Sequence, residues 1–278
     1  MSTNRIVLSL SLKTKQLGLS KSYQHRLSND WDSRNADPRA FIPSKVRAQI
    51  TAEVAEQSNR KLGGFAQDFL RAVLNNSTED DLSRREKSER VILAVGGGKG
   101  HDSEWVREAY MVRLRTVWLD VSAVACENLI PKLKEQFESI PGSDPRLRPS
   151  VKCAELRSAL ANPDSVSLDV KSVEIWYMCR VVEIMSVRSV RVVLRQIGKC
   201  LAYSPSNRLV IVDALSDHNI GYTGLKTSKL FSLKFLILNL SIGASSDGTR
   251  REVEVCQERT FTFFDKKFSA LAFKIRTS

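Results

Sequence analysis

The stretch VILAVGGGKGHDSEW, residues 91–105, decides the fold class that the sequence predicts. It opens with VILAV, an apolar run rich in β-branched residues, as in a strand buried on both faces. The run ends in three consecutive glycines, and a fourth glycine follows one residue later. These glycines are Gly96, Gly97, Gly98 and Gly100. Where a strand passes into a helix, glycines of this kind let the backbone approach a nucleotide-like ligand.

Strand and helix patterns alternate from this stretch onward. We predict strands in the runs RVILAVG, TVWLDVS, SVKCAEL, SVEIWYM and NRLVIVDAL. The segments between them, such as SVRSVRVVLRQIGKCLAY, have the spacing of amphipathic helices. This alternation predicts an α/β fold with a doubly wound, Rossmann-like parallel sheet that is covered by helices on both faces. The last run, EVEVCQERTFTFFDKKFSALAFKIR, alternates instead like a pair of antiparallel strands.

The N-terminal part, residues 1–86, differs in pattern, and we predict that it is a short helical extension. Two helices are expected in it, over residues 44–62 and 65–76, with Gly63-Gly64 ending the first. The charged connector STEDDLSRREKSER marks the predicted boundary, so that residues 87–278 form the main domain. We expect the extension to contribute to dimerisation and to a lid over a substrate.

The composition limits the classes of protein that the chain can belong to. It has 278 residues, 42% of them hydrophobic, and 43 Lys and Arg against 31 Asp and Glu, for a net charge of +12. A basic protein of this kind suggests a polyanionic partner, but the charge is spread along the chain, so we expect no nucleic acid. One basic stripe, which we interpret as the solvated face of a helix, consists of Arg188, Arg191, Arg195 and Lys199.

The cysteines and the apolar runs narrow the classes further. Five widely spaced cysteines without a CxxC pair argue against a disulfide framework and against a zinc site. The first residues lack the pattern of a signal peptide, and no apolar run reaches the ~18 residues that a membrane span requires. We therefore expect a cytoplasmic protein that binds neither a metal nor a membrane.

An acidic residue ends the strand that follows the glycines. Asp120 closes TVWLD and lies 20 positions after Gly100. A carboxylate at this place can accept hydrogen bonds from both hydroxyls of a ribose, which makes an adenosine-containing ligand the leading interpretation. The alternatives are a purely structural glycine turn and an aspartate that caps a helix or stabilises a turn.

These motifs resemble a known family. VILAVGGGKGH together with TVWLD resembles the S-adenosylmethionine loop of class I methyltransferases, and more specifically that of the plant and fungal small-molecule O-methyltransferases of the caffeate type. The runs VRVVLRQIGKCL, NRLVIVD and KLFSLKFLILNLSIGASSDGTRREVEV are similar to later segments of that family. The resemblance covers about residues 60–278 and implies a methyltransferase sheet.

The resemblance also implies a function and a set of site residues. The cofactor would be S-adenosylmethionine, and the substrate a small aromatic or polyketide-like molecule that is methylated on a hydroxyl. The family also implies a homodimer. The residues expected to hold the cofactor are Gly96, Gly97, Gly98, Gly100, Asp120 and Glu155, the last near the adenine.

The catalytic motif departs from that family. Ala94 stands where the family's loop starts with an acid, and Glu183 stands where the family has its histidine base. We expect Glu183 to act as the base, with Asp213 and Asp247 as orienting acids, whereas His101 is interpreted as loop structure. His218 and His25 are the remaining histidines, and His218 is the next candidate base.

Two alternative functions stay open at this point. The first is a methyltransferase-fold protein that binds the cofactor but is catalytically silent or promotes a non-methylating rearrangement. The degenerate motif favours it. The second is a basic nucleic-acid-binding protein, which would need aromatic residues among its basic ones.

Overall fold

A computed structural model gives the structure of most of the chain. It describes residues 29–33, 36–42, 44–76, 90–182, 185, 187–204, 206–213, 252–264 and 266–276. Within these residues a single mixed sheet forms the centre, and helices cover it on both faces.

The sheet has seven strands in the described part of the chain. They are β1 (Val91–Val95), β2 (Arg115–Asp120), β3 (Ser150–Cys153), β4 (Val173–Cys179), β5 (Arg208–Asp213), β6 (Glu252–Phe263) and β7 (Lys266–Arg276). Their order across the sheet is β3-β2-β1-β4-β5-β7-β6. Strands β1 to β5 are parallel, whereas β7 runs antiparallel to β5, and β6 antiparallel to β7. The predicted doubly wound sheet with antiparallel C-terminal strands is therefore confirmed.

Six α-helices accompany these strands in the described segments between residues 44 and 201. They are α1 (Ser44–Arg47), α2 (Ala52–Asn75), α3 (Val106–Met111), α4 (Ala123–Glu138), α5 (Leu156–Ala161) and α6 (Val187–Leu201). Short 3-10 turns occur at Pro38–Phe41, Ser103–Trp105, Pro145–Leu147, Pro163–Val166 and Val170–Ser172. Among the described residues, none of these helices combines the length and the apolar character needed to cross a bilayer.

The strands form because their side chains alternate between two apolar layers. In β1, Leu93 faces a layer built with α5 and α6, and its neighbours Ile92 and Ala94 face a second layer built with α2, α3 and α4. All five residues of β1 are buried. A strand covered on both faces in this way explains why its sequence reads as a continuous apolar run.

The helix predicted over residues 44–62 is divided at residues 48–51 into α1 and the start of α2. Helix α2 also differs from the prediction, because it joins the rest of that helix to the second one, predicted over residues 65–76. It begins after Thr51, whose hydroxyl accepts a hydrogen bond from the Val54 N–H, and it runs without a break through Gly63-Gly64 to Asn75. Its C-terminal half, including Phe69 and Leu70, packs on the sheet with β1. The division of the chain at residues 86 and 87 stays a prediction.

The order of the strands reverses between β1 and β4. The chain runs outward from β1 to β2 and β3 on one side, and from β4 to β5 on the other. In open α/β sheets, this reversal leaves a crevice outside the carboxyl ends of the two central strands, where ligands bind. The fold therefore directs attention to the residues that follow β1 and β4.

Candidate functional site

A cavity of about 250 Å³ occupies that crevice. The glycine turn after β1 forms its floor, and residues from the ends of β2 and β4 and from the start of α5 form its sides. The N-terminal half of α2 also lines it, with Glu56, Asn59 and Gly63. The cavity therefore combines the predicted glycine turn with a helix from the N-terminal part of the chain.

The glycine turn has a backbone that side chains would not permit. Gly96 has a φ of +78°, and a Cβ on it would lie 2.5 Å from Cγ2 of Val181. Gly98 has a φ of +49°, but a Cβ on it would meet no heavy atom within 4 Å. Gly96 thus serves close packing, whereas Gly98 leaves open a space that a ligand can fill. Gly97 also lines the cavity, and Gly100 closes the turn by donating its N–H to Gly97 O at 2.8 Å.

Asp120 is tied directly to this turn. Its Oδ2 accepts the N–H of Gly98 at 2.9 Å, and its Oδ1 accepts the N–H of Ser122 at 2.8 Å. Burial raises the pKa of the carboxyl, and these two hydrogen bonds partly oppose that effect. The cap of α4 is Ser122, whose hydroxyl accepts from the Ala125 N–H, so helix capping does not explain Asp120. Because a carboxylate oxygen can accept more than one hydrogen bond, Asp120 can also receive ribose hydroxyls from the cavity that it lines.

Of the other predicted acidic residues, the structure describes Glu155 and Asp213. Glu155 lines the cavity and also caps α5, because its Oε2 accepts the Ser158 N–H at 2.8 Å. Asp213 is fully buried and accepts the Val182 N–H at 2.8 Å, which fixes the segment after β4. Glu183 and Asp247 lie outside the described residues, as do His25 and His218. The roles predicted for the four acidic residues, Glu155, Asp213, Glu183 and Asp247, stay predictions.

His101, which the sequence suggested to be loop structure, lines the cavity. Its Nε2 lies 3.3 Å from Oε1 of Glu56, and the Lys99 ammonium donates to Oε2 of the same carboxylate at 3.1 Å. Burial is the main cause that lowers the pKa of His101, and the Glu56 charge opposes it. An imidazole that lines the cavity and lies beside a carboxylate has the placement of a candidate base.

A buried pair of side chains, Tyr177 and Asp102, lies next to the cavity. Tyr177 of β4 donates its hydroxyl to Oδ2 of Asp102 at 2.5 Å, and both side chains are buried. Burial raises the pKa of Asp102 to about 6. Asp102 directly precedes the turn at Ser103–Trp105, but its side chain makes no cap hydrogen bond there and instead binds Tyr177.

Arg180 follows β4 directly and also lines the cavity. Its backbone is left-handed, with a φ of +58°, and its N–H donates to Val212 O at 2.8 Å. Its Nη1 donates to Oδ1 of Asn59 at 3.2 Å, and its guanidinium carbon lies 5.6 Å from the ring centre of Phe263. Non-glycine residues seldom adopt this conformation, and Arg113, Ser167 and Phe264 adopt it too without lining the cavity. The sequence analysis missed Arg180, although an arginine at the end of an apolar strand was a visible signal.

The segment at residues 29–33 also reaches the cavity. Trp31 lines it, and Oδ1 of the neighbouring Asp32 accepts the Ser122 hydroxyl at 2.6 Å and the Val124 N–H at 3.3 Å. These bonds attach the segment to the start of α4, next to Asp120. The lid that the sequence predicts for the N-terminal extension stays a prediction.

Comparisons with known proteins found only distant structural similarities. No protein-family model matches it, and no curated protein matches it. Among solved structures, it is similar to the plantazolicin methyltransferase BpumL in complex with SAH, at 13% identity and a TM-score of 0.45, over 91% of this chain and 100% of that one. It is also similar to an rRNA methylase from Streptococcus thermophilus, at 15% identity and a TM-score of 0.43, over 77% of this chain and 96% of that one.

A third likeness is to a SAM-dependent methyltransferase from Aquifex aeolicus, at 16% identity and a TM-score of 0.39, over 70% of this chain and 88% of that one. These values are too low to assign a substrate or a cofactor. The fold class itself, a doubly wound Rossmann-like sheet with antiparallel C-terminal strands, follows from the strand order and directions. The ligand of the cavity is therefore inferred from its own residues.

Proposed function

We propose that this protein is an S-adenosylmethionine-dependent methyltransferase that acts on a hydroxyl of a small aromatic or polyketide-like molecule. The observation that carries the proposal is the bond between Gly98 N–H and Asp120 at the switch point of the sheet, in a turn that opens onto the cavity. This bond fixes the end of β2 against the glycine turn. It therefore brings the carboxylate that we assign to the ribose next to an open backbone surface.

The residues of the cavity fit the proposed cofactor on two sides. Asp120 and Glu155 lie on the side of β2 and β3, where we assign the ribose and the adenine. The open space above Gly98 lies beside Asp120 and suits the methionine part, because no Cβ occupies it. When bound, the cofactor would supply a methyl group already activated on a sulfonium. The protein would then need only to position the acceptor and to remove its proton.

Two side chains are candidates for the base. Glu183 is the residue that the resemblance assigns, and buried Asp213 binds the N–H of its neighbour Val182. His101 is the candidate that the geometry adds, because it lines the cavity and is paired with Glu56 at 3.3 Å. A carboxylate that accepts the imidazole N–H would leave the second ring nitrogen available for a proton.

The proposal is tested by incubating the protein with S-adenosylmethionine and a panel of phenols, and by measuring release of S-adenosylhomocysteine. We expect turnover with some of these phenols. Substitution of the true base, by Glu183→Gln or by His101→Gln, should lower turnover by roughly 10²–10⁴-fold and leave cofactor binding intact. Whichever of the two substitutions does not affect the base serves as the matched control. Cofactor binding without turnover of any phenol would contradict the proposal and favour a catalytically silent protein.

A further inference from the structure

Two cysteine thiols lie against the end of the strand that carries Asp120. Cys126 is in the first turn of α4, and its Sγ donates to Asp120 O at 3.7 Å. Cys153 ends β3 beside Asp120 in the sheet, and its Sγ donates to Val121 O at 3.8 Å. We propose that Cys126 and Cys153 form a disulfide when a neutral peroxide oxidises the protein, and that this disulfide weakens cofactor binding. The effect on the cofactor rests on the proposed function, whereas the disulfide itself does not.

The two thiols are placed to react with each other. Their sulfur atoms reach two consecutive carbonyls of one short segment, those of Asp120 and Val121. The two thiol groups also share a hydrogen bond with each other. Both cysteines are free in the structure, so the pair is present in its reduced form.

The exposure of the two residues sets the order of the steps. Cys153 is exposed and Cys126 is buried, so a peroxide reaches Cys153 first. The Cys153 sulfur attacks the O–O bond and becomes a sulfenic acid, and one water leaves. The Cys126 sulfur then attacks the sulfenic sulfur, the S–S bond forms, and a second water leaves. Two thiols and one hydrogen peroxide thus give one disulfide and two waters, with two electrons passing from sulfur to oxygen.

The surrounding charges favour a neutral oxidant. Burial is the main cause that raises the pKa of both thiols, and the charge of Asp120 raises both further. Asp32 and Glu127 add to this effect at Cys153. Both thiols are therefore protonated at neutral pH, which makes their oxidation slow. The same negative charges repel glutathione disulfide, which is an anion, but they do not repel hydrogen peroxide.

The disulfide would act on the side of the cavity that we assign to the adenosine. Asp120 and Val121, whose carbonyls accept the two thiols, line the cavity. Ala154 and Glu155, which directly follow Cys153, line it as well. Because a disulfide brings two sulfur atoms to about 2.05 Å, it draws the start of α4 and the end of β3 together. This movement displaces the carboxylates assigned to the ribose and the adenine, and loss of one charge-assisted hydrogen bond weakens binding about tenfold.

The test treats the protein with excess hydrogen peroxide at pH 8 and then removes the peroxide. Mass spectrometry without reduction should show the loss of two hydrogen atoms and a pair of peptides joined through Cys126 and Cys153, which dithiothreitol separates. Calorimetric titration with S-adenosylhomocysteine should give a dissociation constant about tenfold higher for the oxidised protein than for the reduced protein. Dithiothreitol should restore the original affinity.

The decisive variant is Cys153→Ser, because this residue is exposed and its loss should not disturb the fold. Its affinity for S-adenosylhomocysteine should not change on peroxide treatment, and buried Cys126→Ser should behave in the same way if its melting temperature shows that it is folded. Cys256→Ser is the matched control, since Cys256 is also exposed but lies on β6, and this variant should respond to peroxide as wild type does.

Each of the other outcomes decides against one part of the inference. Sulfinic acids or dimers in place of the Cys126–Cys153 link in wild type would overturn the disulfide. An unchanged affinity in the linked protein would overturn its effect on the cofactor, and so would a loss of affinity that persists in Cys153→Ser, because peroxide also oxidises methionines. Failure of reduced wild type to bind S-adenosylhomocysteine would refute the proposed function, and mass spectrometry alone would then decide on the disulfide.

Discussion

Gly63 in the middle of α2 allows a test of how the N-terminal helix supports the glycine turn. A Cβ built on Gly63 would lie 2.7 Å from Cβ of His101 and 2.9 Å from its carbonyl carbon and oxygen. Backbone atoms cannot move away as the end of a flexible side chain can. Gly63→Ala should therefore push α2 away from His101 and disturb the loop that follows Gly100.

The neighbouring glycine gives a matched control on the same helix. A Cβ on Gly64 would meet no atom within 4 Å, so Gly64→Ala should gain the helix propensity of alanine, about 0.5–1 kcal/mol. Gly63→Ala gains the same propensity but adds overpacking, which costs roughly 1–3 kcal/mol. The free energies of unfolding of the two variants should therefore differ by roughly 1–3 kcal/mol, with Gly64→Ala the more stable.

Urea denaturation followed by circular dichroism measures this difference. We also expect Gly63→Ala, but not Gly64→Ala, to weaken binding of S-adenosylhomocysteine, since His101 and the glycine turn shift together. If Gly63→Ala were as stable as Gly64→Ala and bound the ligand as well as wild type, the close contact between α2 and His101 would be refuted.

Two further predictions concern pH dependence and assembly. Burial raises the pKa of Asp102 from 3.8 to about 6, so the stability that it contributes is full below pH 3.8 and is lost as the pH rises to about 6. This loss in the free energy of unfolding is on the order of 2–3 kcal/mol. Urea titrations at pH 4 and pH 7 should show that the free energy of unfolding of Asp102→Asn, relative to wild type, rises by this amount between the two pH values. An equal difference at both pH values would contradict this prediction. The protein should sediment as a homodimer at tens of micromolar, and a monomer at that concentration would refute the assembly that the resemblance implies.

The strands of the parallel sheet could be predicted because their signal is local. A strand covered on both faces needs apolar residues at every position, and VILAV shows this without any knowledge of its partners. The glycine turn and Asp120 were found for the same reason, since they directly follow such runs. The end of each buried strand is visible in the sequence, and in this fold the site lies at those ends.

The rest of the site depends on packing between distant segments, which leaves no local pattern. Glu56 and Asn59 resemble the polar face of any helix, and only the docking of α2 on the glycine turn brings them into the cavity. Because no local pattern indicates this docking, Gly63-Gly64 was interpreted as the end of a helix. Glycine usually interrupts a helix, but here Gly63 is needed because His101 lies against it.

Arg180 belongs to a third group, which the sequence showed but which was not recognised. It directly follows the apolar run VEIWYMC, at the carboxyl edge where Asp120 was found. A charged residue at this place was as informative as Asp120. The family resemblance instead drew attention three residues further, to Glu183.

Calorimetric titration with S-adenosylhomocysteine tests the central claim, that the turn and Asp120 form a cofactor site. It is performed at two temperatures, so that a binding enthalpy near zero at one of them does not hide binding. Wild type should bind, and Asp120→Ala should weaken binding by on the order of 1.5–3 kcal/mol through loss of the ribose contacts. Asp169→Ala is the control, because this exposed aspartate caps the turn before β4; its affinity should equal that of wild type. Absence of heat from wild type at both temperatures, or wild-type affinity in Asp120→Ala, would contradict the assignment of this cavity to S-adenosylmethionine.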